Sequence, residues 1–322
     1  MHYPDAVYGL VPIEEPVLVE LINSSAVQRL NHILQHGITG FLGLTQPITR
    51  FQHSIGVMLL TRRLGATLQE QIAALLHDVS HTAFSHVIDH VFRGQPYHER
   101  MKASYLAQTD IPPILERYGY NWQDFIDEDA YPILEQPAPA LCADRLDYFF
   151  RDSLALNLLT IEEVSQALPH LLVVDHQIGV DKLETAQWLA YTYMKADELS
   201  WSNSQALGLY ELMAELIQTG LGLGAIRESD VWLTDQAFWN KLASCPDEVL
   251  QAQLAQLLEP IHFVEAKRDP WRELKPKIRT INPTILVKGK GILLSDLDAA
   301  FKHDLAAYYQ RKQGVLSLAI AH

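Results

Sequence analysis

Apolar residues recur every three to four positions along most of this chain, which is the period of an α-helix that buries one face. The spacing predicts helices in these segments: 16–37 with a break at 23–25, 54–64, 68–79, 83–92, 140–157, 183–222, 246–258 and 295–312. Several prolines between positions 112 and 139 predict short helices joined by loops, because proline cannot continue a helix interior. The pattern therefore predicts a mainly α fold.

The period changes at a few places to one typical of strands. Residues 170–180 carry two apolar β-branched stretches around Asp175 and His176, which predicts a short β-hairpin. Near the C-terminus, strands are predicted at about 261–266, 278–287 and 290–294, before the last helix. We therefore expect a helical catalytic domain over 1–225 and a smaller α+β region over 226–322. The apolar run 314–321 is interpreted as a docked strand, a helix end or an association surface.

Composition narrows the class of protein. Hydrophobic residues make up 48% of the 322 residues and charged residues 20%, as in globular proteins. A formal net charge of −14 argues against stable nucleic-acid binding, which needs a basic surface to release counterions. Cys142 and Cys245 are too few for a disulfide framework. The chain shows neither a signal peptide nor an apolar run long enough to span a membrane, so we expect a cytoplasmic protein.

The candidate chemistry lies in the first half of the chain, where six of the 14 histidines fall between positions 53 and 98. His77 and Asp78 are adjacent and follow an apolar run at 72–76. Burying an imidazole beside a carboxylate is costly unless the two are paired or bind a metal. A hydrogen-bonded core pair explains one such dipeptide, and a surface charge lattice explains Asp144 equally well. Their occurrence together with His53, in this order, favours a metal site.

Four sequence blocks carry a family resemblance: TRFQHSIGV (49–57), LLHDVSHTAFSHVID (75–89), YHE (97–99) and ADRLDYFFRD (143–152). With these blocks the chain resembles the HD-domain phosphohydrolases, closest to the branch of the deoxynucleoside triphosphate triphosphohydrolases. The stretch QRLNHILQHG (28–37) is similar to the first helix of that branch. The resemblance implies a helical bundle that holds one divalent ion per chain (Mn, Fe, Zn, Ni, Co or Mg) and hydrolyses a phosphate ester. It also implies a homo-oligomer.

The resemblance assigns a role to each matching residue. The implied metal ligands are His53, His77, Asp78 and Asp144. The implied catalytic residues are His86, oriented by Asp89 as a general acid, together with His81 and His98. The implied substrate-binding residues are Arg50, Gln35, Arg145, Tyr148 and Asp152. A guanidinium such as that of Arg50 suits phosphate because it forms planar, bidentate hydrogen bonds. His36 and His90 are interpreted as ordinary surface histidines.

The departures from the family concern the substrate. The segment 193–204 stands where triphosphohydrolases place cations around the triphosphate, yet it offers Lys195 beside the carboxylates of Asp197 and Glu198. Carboxylates near a phosphate cost Coulomb energy in a low-dielectric cleft. Asn23 and Asn31 replace the residues that read a guanine nucleotide activator in the animal enzymes, so no such activation is expected.

Several functions therefore remain open. The default is hydrolysis of a (deoxy)nucleoside triphosphate, and the alternative is a smaller phosphate monoester or nucleoside monophosphate. A non-catalytic, ligand-binding scaffold is a further alternative, which the complete set of metal ligands disfavours. A two-iron oxygenase would need additional histidine ligands such as His81 and His98. The expected partner in solution is a small phosphorylated molecule.

Overall fold

The computed structural model describes residues 1–94, 96–266 and 268–321. Helices predominate, as the spacing of apolar residues predicts. The first eight are α1 Pro16–Ile22, α2 Ser25–Arg29, α3 Gly37–Phe41, α4 Arg50–Arg63, α5 Leu68–Leu76, α6 Val87–Val91, α7 Tyr97–Leu106 and α8 Ile111–Arg117. The others are α9 Ala143–Ala155, α10 Ile161–Ala167, α11 Leu183–Ala196, α12 Ser204–Gly222, α13 Asp235–Ala243, α14 Glu248–Leu258, α15 Leu294–Leu297 and α16 Ala299–Lys312.

The strands are short and form three small sheets. Their bounds are β1 His2–Asp5, β2 Gly9–Pro12, β3 Leu171–Val174, β4 Gln177–Val180, β5 His262–Glu265, β6 Arg272–Leu274, β7 Thr284–Val287, β8 Lys290–Leu293 and β9 Leu316–Ala321. The first two pair as a hairpin, the second sheet has the order β3-β4-β7-β8, and the third has the order β5-β9-β6. The predicted hairpin near 170–180 is confirmed as β3 and β4, which pair antiparallel. The apolar C-terminal run is a docked strand, since β9 pairs with both β5 and β6.

Helix starts follow local capping chemistry. The Thr49 side chain accepts a hydrogen bond from the backbone of Gln52, whose side chain returns one to Thr49, so a capping box begins α4. Thr67 caps α5 in a similar way without the return bond. Several predicted helices are shorter than expected: the segment 16–37 is α-helical only to Arg29, and 68–79 ends at Leu76. The segment 83–92 is helical only over α6, and 183–222 is interrupted by a π-helical turn at Asp197–Trp201.

The reason for the short α6 is the backbone of the preceding loop. Phe84 and Ser85 adopt positive φ angles of 59° and 51°, a conformation that ends any regular helix there. Such positions are rare for residues with a side chain and cluster at functional sites. Here they turn the chain so that His86 begins a new helix.

The C-terminal third shares its core with the N-terminal half. Ile281, Ile285, Phe301 and Tyr308 belong to the same buried cluster as the apolar residues of α4, α5 and α9. The sheet also joins the two parts, because β7 pairs parallel with β4. The division at residue 225 therefore stays a prediction. No helix in the described parts of the chain combines the length and apolar character needed to cross a bilayer.

Two loops that carry site residues are tied together by one buried carboxylate. Asp235, at the start of α13, is 3% exposed. Its side chain accepts the backbone N–H of Leu34 at 2.8 Å and that of Phe84 at 2.7 Å. Gly37 adds to this junction, because any side chain there would collide with the Phe84 carbonyl. The loop before α3 and the loop before α6 are thus held in a fixed relation.

Asp235→Ala is expected to lower the free energy of unfolding by about 2–4 kcal/mol, because it leaves two buried N–H groups without an acceptor. The loss would be read from urea unfolding followed by circular dichroism. Asp235→Asn is the matched control, since its amide oxygen keeps one acceptor, and about half the loss is expected. Equal stability of the wild type and the alanine variant would show that water satisfies both groups.

Candidate metal centre and active site

Three helix-borne side chains converge on one point in the helical core. His53 comes from α4, His77 follows α5, and Asp144 lies in the first turn of α9. Their ligand atoms all lie within 4.8 Å of one another. The Nε2 atom of His53 is 2.9 Å from Asp144 Oδ1 and 3.3 Å from Nε2 of His77. Residues that are 91 positions apart in the chain therefore share one site.

The other nitrogen of each ring is already committed. Nδ1 of His77 donates to the carbonyl of Ala74 at 2.7 Å. Nδ1 of His53 donates to Asp147 Oδ2 at 2.8 Å. Both rings consequently turn Nε2 toward the carboxylate of Asp144, and this is the nitrogen that an imidazole offers to a metal when a second group holds Nδ1. The residues present fit a divalent metal, with nitrogen and oxygen donors suited to first-row ions.

Asp78 completes the predicted set at a slightly greater distance. Its Oδ1 lies 3.6 Å from Nε2 of His77, and its Oδ2 lies 3.8 Å from Nε2 of His53. Oδ2 also accepts a hydrogen bond from Arg50 at 2.7 Å. The Asp78 carboxylate is buried, yet Arg50, followed by His77 and His81, keeps its pKa well below the usual value. Asp78 is therefore an anion at the edge of the site.

The carboxylates reshape the titration of the two histidines. Burial alone would lower the pKa of His53, but hydrogen bonds to Asp144 and Asp147 outweigh it and raise the pKa to about 10. Asp78 and Asp144 raise the pKa of His77 in the same way against its burial. The surroundings thus favour positive charge at this point of the core. A bound cation satisfies the same demand.

A second layer of charge holds His53 in place. Asp147, which is fully buried, also accepts a hydrogen bond from Arg151 Nε at 2.7 Å. Arg151 in turn donates to Asp5 of β1 at 2.7 Å. Buried charges are tolerated when each is paired and hydrogen-bonded. The N-terminal hairpin is thereby linked through α9 to the orientation of a metal ligand.

Gly56→Ala is expected to damage this layer. In an ordinary helix the change gains about 1 kcal/mol. In α4 a Cβ at Gly56 would overlap the side chains of Arg151 and Asp147, so we expect a loss of about 1–3 kcal/mol and weaker metal binding. Thermal unfolding and metal titration measure the two effects. Gly222→Ala in α12 is the control, because nothing lies within 4 Å of the added atom, and a stability equal to or above that of the wild type is expected.

Three further histidines form a group beside the metal ligands. The ligand atoms of His81, His86 and His98 lie within 4.8 Å of one another, and the rings of His81 and His98 stack at 3.8 Å. Nε2 of His81 donates to Asp78 Oδ1 at 3.1 Å, which connects the two groups. Burial and the positive charge of Arg50 lower the pKa of His81 well below its usual value. Burial and His86 lower the pKa of His98 to about 3, so both rings are neutral.

His86 differs from its two neighbours in exposure and in its partner. Its side chain is 45% exposed, whereas that of His81 is 2% exposed. Nδ1 of His86 contacts Asp89 Oδ2 at 3.1 Å, and the other oxygen of Asp89 accepts the backbone N–H of Tyr97 at 2.8 Å. The carboxylate thus orients the ring and leaves Nε2 free to face a bound molecule. This is the geometry of a general acid positioned by a carboxylate.

The predicted substrate-binding residues lie around the site in different ways. Arg50 is 3% exposed and already paired with Asp78, so it stands behind the ligands. Arg145 donates to the carbonyls of Ala140 and Gln136 and lies 3.4 Å from Glu135. Contacts of Arg50 and Arg145 with a phosphate therefore remain predictions. Neither guanidinium is free of protein partners.

Gln35, Tyr148 and Asp152 are held by different contacts. The Tyr148 ring is 6.4 Å from that of His53, and its hydroxyl is hydrogen-bonded to Tyr193. Asp152 accepts from Trp201 Nε1 at 2.7 Å and pairs with Nε2 of His36 at 3.0 Å. The side-chain oxygen of Gln35 is buried and has no hydrogen-bond partner among the described residues.

A cavity of about 350 Å³ opens next to Asp152. It is bounded by His36, Asp152 and Ser200 and by the loop 43–47 that follows α3. Small-molecule sites typically occupy about 300–1,000 Å³. The cavity therefore has room for a small organic group next to Asp152.

Sequence patterns did not single out some residues that shape the site. Asp147 and Arg151 lie three and seven positions after Asp144 on α9, and a search for i, i+3 and i, i+4 charge pairs would have found them. Trp201 and Arg279 give no such local signal. His36 and His90 are partly buried and paired with Asp152 and Glu211, rather than being isolated surface histidines.

Comparison with known proteins identifies the family of the chain. The HD domain family matches residues 50–152. The chain is 38% identical over 299 residues to the metal-dependent phosphohydrolase cns2 of Cordyceps militaris, covering 89% of this chain and 85% of that protein. It is 31% identical over 159 residues to the deoxynucleoside triphosphate triphosphohydrolase SAMHD1 of Gallus gallus, covering 42% of this chain and 25% of that one.

The fold is also found in a solved structure. The crystal structure of a phosphohydrolase from Bacteroides thetaiotaomicron superposes with a TM-score of 0.72 at 17% identity, over 99% of this chain and 98% of that one. The helical bundle with its appended strands therefore matches a known fold. The chain belongs to the HD-domain family, and it is a metal-dependent phosphohydrolase.

Proposed function

We propose that this protein hydrolyses the phosphate monoester of a polar alcohol, with a nucleoside monophosphate as the substrate class. The observation that carries the proposal is the small number of unpaired cations around the metal ligands. Arg50, Arg145 and Arg151 are each within 4.0 Å of a carboxylate. A site with one metal ion and few free cations suits one phosphate better than three, because each added anion costs Coulomb energy.

One divalent ion is the proposed cofactor, held by His53, His77, Asp78 and Asp144. When bound, such an ion lowers the pKa of a coordinated water and polarises a phosphoryl oxygen. The neutral rings of His81 and His98 exclude competing charge from the same cleft and offer ring nitrogens to the substrate or water. His86, held by Asp89, donates its Nε2 proton to the oxygen of the leaving alcohol.

The cavity beside Asp152 is the proposed place of the leaving alcohol. Asp152, which lines the cavity, is an acceptor for hydroxyl or amino groups, such as those of a ribose or a base. The Trp201 indole donates to Asp152 and packs against Tyr148, whose ring lies 6.4 Å from that of His53. A polar, ring-shaped alcohol fits such a lining.

A (deoxy)nucleoside triphosphate is the second candidate, and the similarity to SAMHD1 of Gallus gallus favours it. The segment 193–204, which would have to hold the triphosphate, argues against a triphosphate substrate. Lys195 is exposed on α11, and Asp197 is buried and accepts from Tyr308 at 2.6 Å. Glu198 is paired with Arg311 of α16. This segment therefore joins the C-terminal helix instead of adding cations to the site.

The test is a substrate panel with the Mn²⁺-loaded protein. Nucleoside 2′-, 3′- and 5′-monophosphates, bisphosphates, triphosphates and simple sugar phosphates are incubated, and the released species are separated by ion-exchange chromatography. Orthophosphate from monoesters is the expected product. Tripolyphosphate from triphosphates would favour the second candidate instead, and no release from any ester would overturn both.

A further inference from the structure

The segment 275–283, which links β6 to β7, contacts Trp201 beside the candidate active site. Thr280 and Ile281 are each 1% exposed. The Asn282 N–H donates to the carbonyl of Pro139 at 2.8 Å, and the hydroxyls of Thr280 and Tyr309 lie 2.7 Å apart. The segment lies well beyond residues 50–152, where the HD domain family matches. Its position is nevertheless fixed by contacts to both halves of the chain.

Arg279 of this segment is attached to the wall of the active site. Its Nη1 donates to the backbone carbonyl of Trp201 at 3.3 Å. The Trp201 side chain donates to Asp152 and packs edge-on against Tyr148, with ring centroids 5.1 Å apart. Since the Tyr148 ring in turn lies 6.4 Å from that of His53, a short chain of contacts connects Arg279 with the metal ligands.

The electrostatics of the neighbouring groups agree with this placement. Burial lowers the pKa of His86, and the charges of Arg50 and Arg279 lower it further. Burial raises the pKa of Tyr210 to about 12, and the same two arginines oppose that rise. The charge of Arg279 therefore acts on the proposed general acid together with that of Arg50.

Arg279 is also free to accept an anion. The other three arginines around the site have carboxylate partners, whereas Arg279 has none within 4.0 Å in the described parts of the chain. A guanidinium carries five N–H donors, and the carbonyl of Trp201 takes only one. Lys277, two positions earlier, is exposed, and its charge lowers the pKa of Glu99, which burial and Glu128 raise.

We propose that Arg279, supported by Lys277, binds the phosphoryl oxygens of the substrate and thereby completes the active site from outside the HD domain. The inference rests on the proposed function, since it assigns a phosphate to the same cleft. The planar guanidinium can grip two phosphate oxygens while the metal ligands hold the opposite side. Arg279 is thus a substrate-binding residue that sets the preference for a dianionic ester.

Titration with orthophosphate of the Mn²⁺-loaded protein tests the inference by calorimetry. Arg279→Gln is expected to weaken phosphate binding by about 10- to 100-fold, the range of a charge-assisted hydrogen bond. Its metal content should match that of the wild type. Arg279→Lys should recover part of the affinity, because lysine restores the positive charge but lacks the planar N–H donors of the guanidinium. Lys288→Gln, in the exposed turn between β7 and β8, is the control for a simple loss of charge and should bind phosphate normally.

Lys277→Gln adds a variant whose side chain is exposed, so its effect does not depend on folding. A loss of about threefold or more in phosphate affinity is expected for this weaker, point-charge contact. The inference is overturned if wild-type protein does not bind phosphate, or if Arg279→Gln binds it as the wild type does. Normal binding by Lys277→Gln alone would remove the supporting role of Lys277.

Kinetics on a hydrolysed ester separate this inference from the proposed function. Arg279→Gln should raise KM more than it lowers kcat. If no ester is hydrolysed but phosphate binding still depends on Arg279, the proposed function fails and the phosphate site stands. If esters are hydrolysed and Arg279→Gln has wild-type kcat/KM and phosphate affinity, only the role of Arg279 fails.

Discussion

His77→Ala is expected to remove hydrolysis almost completely, lowering kcat/KM on the order of 10³-fold or more. The imidazole supplies one of the nitrogen donors that converge with His53 and Asp144 within 4.8 Å. Without it the ion is bound weakly, and the reaction loses both the activated water and the polarised phosphoryl oxygen. Metal analysis of the purified variant should show a matching loss of bound ion.

The fold itself should survive this substitution. His77 is 5% exposed and sits at the end of α5, and its removal leaves Asp78 still paired with Arg50. Circular dichroism and thermal unfolding without added metal should resemble those of the wild type, whereas added Mn²⁺ should stabilise only the wild type. His303→Ala, an exposed histidine on α16, is the control and should keep both metal and activity. Full activity of His77→Ala would refute the metal centre.

His86→Ala is expected to lower kcat on an alkyl phosphate ester by about 10²- to 10⁴-fold, the usual contribution of a general acid. The imidazole is held by Asp89 at 3.1 Å, and its side chain is 45% exposed. Because the acid assists departure of the alcohol, the loss should shrink when the leaving group needs no proton. The same variant should therefore retain much more of its activity on p-nitrophenyl phosphate.

Metal content distinguishes this effect from damage to the neighbouring ligands. His86→Ala should bind as much Mn²⁺ as the wild type, because His86 does not contact the group of His53, His77 and Asp144. An equal loss of rate on both kinds of leaving group would assign His86 to binding or positioning. A loss of metal would move it into the metal centre.

Asp89→Asn gives the pH dependence of the same group. Burial lowers the pKa of His86 below its ordinary 6.5, and the carboxylate of Asp89 opposes that shift. A general acid works only in its protonated form, so kcat/KM falls as the pH rises through the pKa of His86. Removing the carboxylate lowers that pKa further, and the fall should begin at lower pH. An unchanged profile, or a shift to higher pH, would contradict the pairing.

The candidate metal ligands could be predicted from the sequence because each lies in a short, recognisable block of residues. His77 and Asp78 are adjacent and follow an apolar run, and a further histidine and aspartate stand in the blocks before and after them. Burying such polar groups is costly unless they are paired or bind a metal. Helices were predictable for a similar reason, since one buried face imposes the 3.6-residue period on the chain. The structure places His53, His77 and Asp144 together, with Asp78 at the edge.

The interruptions of the predicted helices could not be predicted from the sequence. Positive φ angles at Phe84 and Ser85 end the helix predicted over 83–92, although neither residue type favours that conformation. The surroundings impose it: the Phe84 N–H binds Asp235, and Ser85 donates to the carbonyl of Leu34 at 2.6 Å. Both partners are distant in sequence, so a local sequence pattern does not predict these contacts.

The sequence alone predicts the helical class, because the helical period is local. It predicts the candidate metal ligands and the pair His86–Asp89 because each lies in one of a few short, recognisable blocks. Which positive charges are left without a carboxylate partner depends on the folded structure. Arg50 and Arg145 are paired with carboxylates that folding brings close to them. Arg279 belongs to a segment more than 120 positions beyond the HD domain match. Coulomb interactions depend on distance in space, and the order of residues along the chain does not fix that distance.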